Sequence, residues 1–174
     1  KMLPRIPLID DVRDFWKFSK AGRKLADLHI NYEEVPPYKG MQVAGADSGH
    51  FKVEKMRFPK KTAEVRGKKK KVKDKSTIKF NSKITISNIP DRAYDYEVNG
   101  RSAIEWIMDR YRVKTDKKSG IKNDPNDWAR EVGNPRYILD LLLSIINVSM
   151  QTVGIVESLP ELDFDQSEAL NLTA

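Results

Sequence analysis

The side chains best suited to chemistry in this sequence are cations crowded into one short stretch. Lys60, Lys61, Arg66, Lys68, Lys69, Lys70, Lys71, Lys73 and Lys75 are opposed there only by Glu64 and Asp74. Nine basic residues against two acidic leave +7, which is also the net charge of the whole chain, because the remaining 23 basic and 23 acidic residues cancel. An excess confined in this way either meets a polyanion or is simply solvated. Lysine stems reach phosphate oxygens, and each phosphate neutralised releases condensed counterions, which gives affinity for a DNA backbone without regard to sequence. Such point charges fix position and read bases poorly. Arg57, Thr62, Arg66, Ser76, Asn81 and Ser82 are the nearby candidates for base edges, and nothing in the sequence ranks them.

Other chemistry is thinly represented. There is no glycine-rich phosphate loop. His29 and His50, the only histidines, have no carboxylate at metal-ligand spacing and read as structural or surface residues. Glu105 and Asp109, one helical turn apart, could hold a divalent ion, but pairing with Arg101, Arg110 and Arg112 on a solvated face is the simpler reading. Asp10-Asp11 reads as a helix start. Of the aromatic residues that could stack on bases, Trp106 reads as core, as does Trp16; Tyr94 and Tyr96 stay open between core and exposed edge. No nucleophile–base or metal constellation can be assembled, so an independent enzyme is not expected and no residue is assigned a catalytic role.

The elements that must position the cationic stretch follow from periodicity. Pro4 to Pro7 reads as extended linker. Val12, Phe15, Trp16, Phe18, Ala21, Leu25 and Leu28 recur at helical spacing, capped by Asp10 or Asp11, with Gly22 mid-helix suggesting a closely packed backbone. Phe51, Val53, Met56 and Phe58 predict a strand with a bulge at Lys55. The basic stretch, with Gly67 and little apolar content, predicts a loop projecting from the rim of a sheet.

Ser76 to Ser87 predicts a hairpin with the three-residue loop Asn81-Ser82-Lys83, which sets Phe80 opposite Ile84 and Ile78 opposite Ile86. Pro90 to Val98 reads as a helical turn and then a strand through Tyr94, Tyr96 and Val98, stopped by Asn99-Gly100. Ser102 and Glu105 form a capping box opening a helix through Tyr111. Residues 114–127 read as loop. A long helix from Asn134-Pro135 to about Glu157 is apolar nearly all the way round and should be buried.

The order helix, strands, helix, helix predicts an α+β domain, with an antiparallel sheet and helices packed on one face or end. Residues 1–162 should form that single domain, followed by a polar, acidic tail at 163–174. The absence of cysteine excludes disulfides, thiolate zinc sites and cysteine nucleophiles, and fits a cytoplasmic location. Starting at Lys1, the sequence reads as a fragment of a longer chain. Its longest apolar stretch, Tyr137 to Val148, is interrupted by Asp140, Ser144 and Asn147 and falls short of a membrane span of about 20 residues, so no membrane association is expected.

Four blocks carry a family likeness. They are Pro4-Arg5-Ile6-Pro7 with Asp14 to His29 (DFWKFSKAGRKLADLH), Val98 to Tyr111 (VNGRSAIEWIMDRY), Gly120 to Trp128 (GIKNDPNDW), and Asn134 to Ile138 (NPRYI). In these blocks the chain resembles the C-terminal target recognition (specificity) domain of Type ISP single-chain restriction–modification enzymes, predicted helicase–methyltransferases. The resemblance implies a parent chain with a nuclease, an ATP-driven translocase and an adenine-N6 methyltransferase, needing ATP, Mg and S-adenosylmethionine, with no cofactor in this fragment. It implies double-stranded DNA and the upstream domains as partners. None of the family's catalytic motifs falls on a position here. The alternative is a docking domain packing on the parent through its long apolar C-terminal helix.

Overall fold

In a computed structural model of the chain, residues 9, 11–65 and 67–161 are described, the side chain of Val65 excepted. The expected linker at Pro4–Pro7, Asp10 as a cap, Arg66 and the tail at 163–174 lie outside the described residues.

Helix α1 (Val12–Ile30) starts where Asp11 accepts hydrogen bonds from the amides of Arg13 and Asp14, occupying donors that a first turn leaves unpaired. Only Ala21 and Leu28 of its apolar stripe are buried. Trp16 is 50% exposed and Phe15 52%, which corrects the core assignment of Trp16: their half of the helix extends past the body. Gly22 faces open space among the described residues, none of whose backbone packs closely on it.

A three-stranded antiparallel sheet runs in the order β1 (Gln42–Ala44), β5 (Thr85–Ser87), β4 (Ile78–Lys79). The β4–β5 hairpin has the expected register, with Ile78 opposite Ile86 and the Phe80 amide donating to the Ile84 carbonyl at 3.1 Å. Asn81 makes the three-residue loop. Its Oδ1 accepts from the amides of Lys83 and Ile84, both at 2.8 Å, while Nδ2 donates to the carbonyls of His50 and Lys52. Ile78, Phe80, Ile84 and Ile86 are fully buried.

The predicted strand over Phe51 to Phe58 does not form. Val53 is instead clamped by buried Asn126, whose Oδ1 accepts from its amide (2.8 Å) and whose Nδ2 donates to its carbonyl (2.7 Å). Only Arg57 keeps a β-bridge, to Lys79. Val53 and Met56 are nevertheless buried.

The basic stretch is not a loop. Strands β2 (Lys60–Val65) and β3 (Lys68–Lys73) pair antiparallel from Lys60↔Lys73 to Val65↔Lys68, and Gly67 turns at φ +72°. Composition hid this ribbon, because backbone pairing across a two-residue turn needs no apolar side chains.

Tyr94 lies in a 3-10 turn, Asp91–Tyr94, and is buried, so the strand that follows is only β6 (Glu97–Val98). It pairs with β7 (Arg101–Ser102) across Asn99-Gly100, both at positive φ as a type I′ turn requires. Ser102 caps α2 (Ala103–Arg110), its Oγ accepting from the Glu105 amide and donating to the Glu105 carboxylate. Residues 114–127 hold a short hairpin, β8 (Lys114–Thr115) with β9 (Lys122–Asn123), and the start of an unforeseen helix α3 (Asn126–Glu131).

Helix α4 (Tyr137–Glu157) begins two residues later than Pro135 suggested. By length and composition it could cross a bilayer, but 61% of its most apolar window is buried inside this domain. It packs on α1, α2, α3 and the turns at Tyr32–Glu34 and Asp91–Tyr94. Its Ile138, Leu139, Leu142 and Ile146 share one core with the β4–β5 hairpin and with Ile104 and Met108 of α2. The result is the α+β arrangement expected, with helices on one side of a small antiparallel sheet.

Core and ribbon should differ sharply under mutation. Phe80→Ala is expected to cost about 3–5 kcal/mol in urea unfolding. Replacing residues 63–70 with an Asn-Gly turn should leave the thermal midpoint within about 3 °C of wild type, since a change of 1 kcal/mol moves a domain this size by about that much.

Candidate nucleic-acid interface

The β2–β3 ribbon leaves the body beside β4, held at its root. The Asp74 amide donates to the Pro59 carbonyl at 2.8 Å, and the Arg57–Lys79 bridge continues the ladder to the sheet edge. Beyond that root the two strands pack on each other and on no other element to a comparable extent. The sequence thus placed the cations correctly at the rim of a sheet but missed that they form their own ladder.

The structure sorts the nine predicted cations. Lys60, Lys68, Lys69, Lys70, Lys71 and Lys73 are exposed on the ribbon and form no salt bridge among the described residues. Arg66 lies outside the described residues. Lys61 and Lys75 are tied to the root. Lys61 Nζ bonds Asp74 at 3.0 Å, and Lys75 lies 3.6 Å from Glu105 and 4.9 Å above the Tyr94 ring. Tyr94 locks that corner by donating to the Lys75 carbonyl at 2.7 Å. Burial, with Glu105 next, pushes the Tyr94 phenol well up, so it remains a neutral donor.

Other residues singled out in the sequence fall as follows. His29 is structural: its Nε2 lies 3.0 Å from Thr152 Oγ1 and its ring stacks on Tyr96. His50 is exposed and contributes its carbonyl to Asn81. Asp109 pairs with Arg101 (3.4 Å) and Arg112 (3.1 Å), the solvated-face reading, and no cluster of metal-ligating side chains occurs among the described residues. Trp106 is half-buried, donating its indole N–H to the Val98 carbonyl at 2.8 Å, beside a groove of about 510 Å³ shared with Tyr96 and Tyr111. Trp128 is 51% exposed.

Sequence reasoning named Lys73 and Arg57 as candidates but missed that they converge with three further cations. Lys55, Arg57, Lys73, Arg101 and Arg112 line an open cleft of about 310 Å³ at the ribbon root, floored by Met56, Phe58 and Met108. Spread over segments up to 57 residues apart, they carry no local signal; the Val113 amide bonding the Glu54 carbonyl (2.9 Å) and the core shared by Met56 and Met108 bring the end of α2 against the 50s segment.

Residues 1–141 match the Type ISP C-terminal specificity domain. The chain belongs to that family. It is also similar to part of a nuclease-deletion mutant of the Type ISP restriction-modification enzyme LlaGI, solved in complex with a DNA substrate mimic. There identity is 49% and the TM-score 0.77, covering 94% of this chain and 14% of that one. A second similar structure is the ATP-dependent Type ISP restriction-modification enzyme LlaBIII bound to DNA, at 45% identity and TM-score 0.77, covering 92% and 9%. A DrdV–DNA complex shares the fold, with TM-score 0.67 at 23% identity, covering 92% and 15%. The specificity domain thus spans a small fraction of each of these chains. No curated protein matches.

The root contacts give a pH signature. Hydrogen bonds from the Ser76 hydroxyl and then Lys61 hold the Asp74 carboxyl below the usual carboxylate range. A lowered folded-state pKa contributes stability above the ordinary aspartate value and loses it as pH falls through the lowered one. Asp74→Asn should therefore unfold earlier than wild type in thermal melts at neutral pH, and the gap should close in strong acid.

Proposed function

We propose that this specificity domain binds duplex DNA through the β2–β3 ribbon and positions an upstream adenine-N6 methyltransferase and nuclease–translocase on their target. The observation that carries the reading is the ribbon's composition against its setting. Lys60 stands directly opposite Lys73, and Lys68 to Lys71 are consecutive, with almost no apolar surface buried in return. The like pair Lys60–Lys73 opposes the ladder and Glu64 opposite Lys69 offsets only one lysine, so the ribbon carries unbalanced positive charge. Such an arrangement gains free energy when phosphates neutralise it and release counterions. A two-stranded ribbon is also of a width that the DNA major groove admits.

The relatives in LlaGI and LlaBIII, solved with a DNA substrate mimic and with DNA, support the same partner. S-adenosylmethionine, ATP and Mg²⁺ would be held by upstream parts of the parent chain, and a cytoplasmic location suits a protein that surveys DNA there. Residues 1–162 would be the recognition unit. The docking alternative asked for an exposed apolar stripe on the long helix; α4 is mostly buried within the domain, Val156 near its end is exposed singly, and the exposed apolar residues Val12, Phe15 and Trp16 lie together on α1.

Neutralising Lys68 to Lys71 together to Gln should weaken duplex binding about tenfold or more in low salt and flatten the dependence of log affinity on log salt. An unchanged affinity and salt slope in the parent enzyme would falsify this site.

A further inference from the structure

We infer that a single phosphate-binding track runs from one face of the β2–β3 ribbon into the cleft at its root, and that the opposite face takes no part. The inference rests on the duplex-binding reading above and adds which side chains meet the backbone.

Side chains alternate across a ladder, and cross-strand partners share a face. The register puts Lys60, Thr62 and Glu64 of β2 with Lys73, Lys71 and Lys69 of β3 on one face. The other face carries Lys61 and Ala63 with Val72, Lys70 and Lys68. Lys73 lines the cleft, so its face is the one that continues into it. On the other face Ala63 and Val72 are half-buried and Lys61 is tied to Asp74. The run of four consecutive lysines is therefore split by the pleat, with Lys69 and Lys71 on the track and Lys68 and Lys70 off it.

The cleft is built to hold an anion. Its five cations, Lys55, Arg57, Lys73, Arg101 and Arg112, outnumber Glu105 and Asp109 by three. Asp109 fixes both Arg101 and Arg112, and Arg101 also lies 5.2 Å from the Trp106 ring centre, so two guanidinium groups are oriented before any ligand arrives. Arg57 is held through its backbone bridge to Lys79, with no salt bridge to its side chain among the described residues. The guanidinium fork matches phosphate oxygens in pairs, which lysine cannot do. Lysines two apart on β3 are separated by about 6.8 Å, a spacing on the scale of that between neighbouring phosphates of one DNA strand. The ligand is thus the phosphodiester backbone of one strand of a duplex, met by lysines on the ribbon and gripped by arginines at its root.

The test titrates the 174-residue chain with a fluorescent mixed-sequence duplex over a salt series, with a thermal melt of each variant. Lys69→Gln/Lys71→Gln/Lys73→Gln should weaken binding about tenfold or more and flatten the log–log salt slope by about 2–3, at about 0.9 per phosphate contact. Arg57→Gln/Arg112→Gln should flatten it by about 2, and Arg57→Gln alone, which disturbs no acid, by about 1. Lys68→Gln/Lys70→Gln should change affinity less than about threefold and barely move the slope. Equal losses from the two ribbon faces, or arginine variants with the wild-type slope, overturn the track while leaving the ribbon's role intact. Wild-type binding by every lysine variant would instead remove the duplex-binding reading itself.

Discussion

The constraint on which the rest of this domain depends is that α4 is apolar almost all the way round. A 21-residue helix of that kind is about 31 Å long and persists in water only if it is covered on nearly every side. The other elements are arranged around that demand. Helix α1 packs on it, α2 brings Ile104 and Met108 to the same core, and the β4–β5 hairpin adds four fully buried side chains there. The polar residues within α4 are used in the covering: Thr152 meets His29, Asn147 donates to the Pro36 carbonyl, and the Ser144 hydroxyl donates to the Tyr32 carbonyl.

Because the core is built around α4, the ribbon is free to be something a core element could not be. Burial and charge are segregated in this chain. The body is electrically balanced, and the ribbon carries the excess without burying a side chain to compensate. Its root is different. Asp74, Lys61, Lys75, Tyr94 and Glu105 tie the exit of the ribbon to α2 and to the turn before β6. That network fixes where the cations point while leaving six lysines to solvent, a division that a flexible loop of the same composition would not provide.

Family membership and the geometry meet at this point. The ribbon is ordered mainly by backbone pairing, so most of its side chains can vary without loss of fold, which suits a surface that must suit a particular ligand. The exposed aromatic half of α1 and the groove beside Trp106 are further surfaces left open by the body.

Elements whose signal is local were legible from the residues. The Phe80–Ile84 and Ile78–Ile86 pairing followed from alternation, the start of α2 from Ser102 and Glu105, the burial of α4 from its composition, and the position of the cations from charge alone. Tertiary structure decided what local signal cannot carry. Asn126, 73 positions away, held Val53 out of a strand. Backbone pairing made a ribbon of lysines whose side chains argue for a loop, and its pleat divided them between two faces. Trp16 ended exposed because no other described element covers that end of α1, and Arg57, Arg101 and Arg112 met only once α2 closed on the 50s segment. Periodicity reports which face of an element is apolar; what covers that face depends on partners distant in sequence.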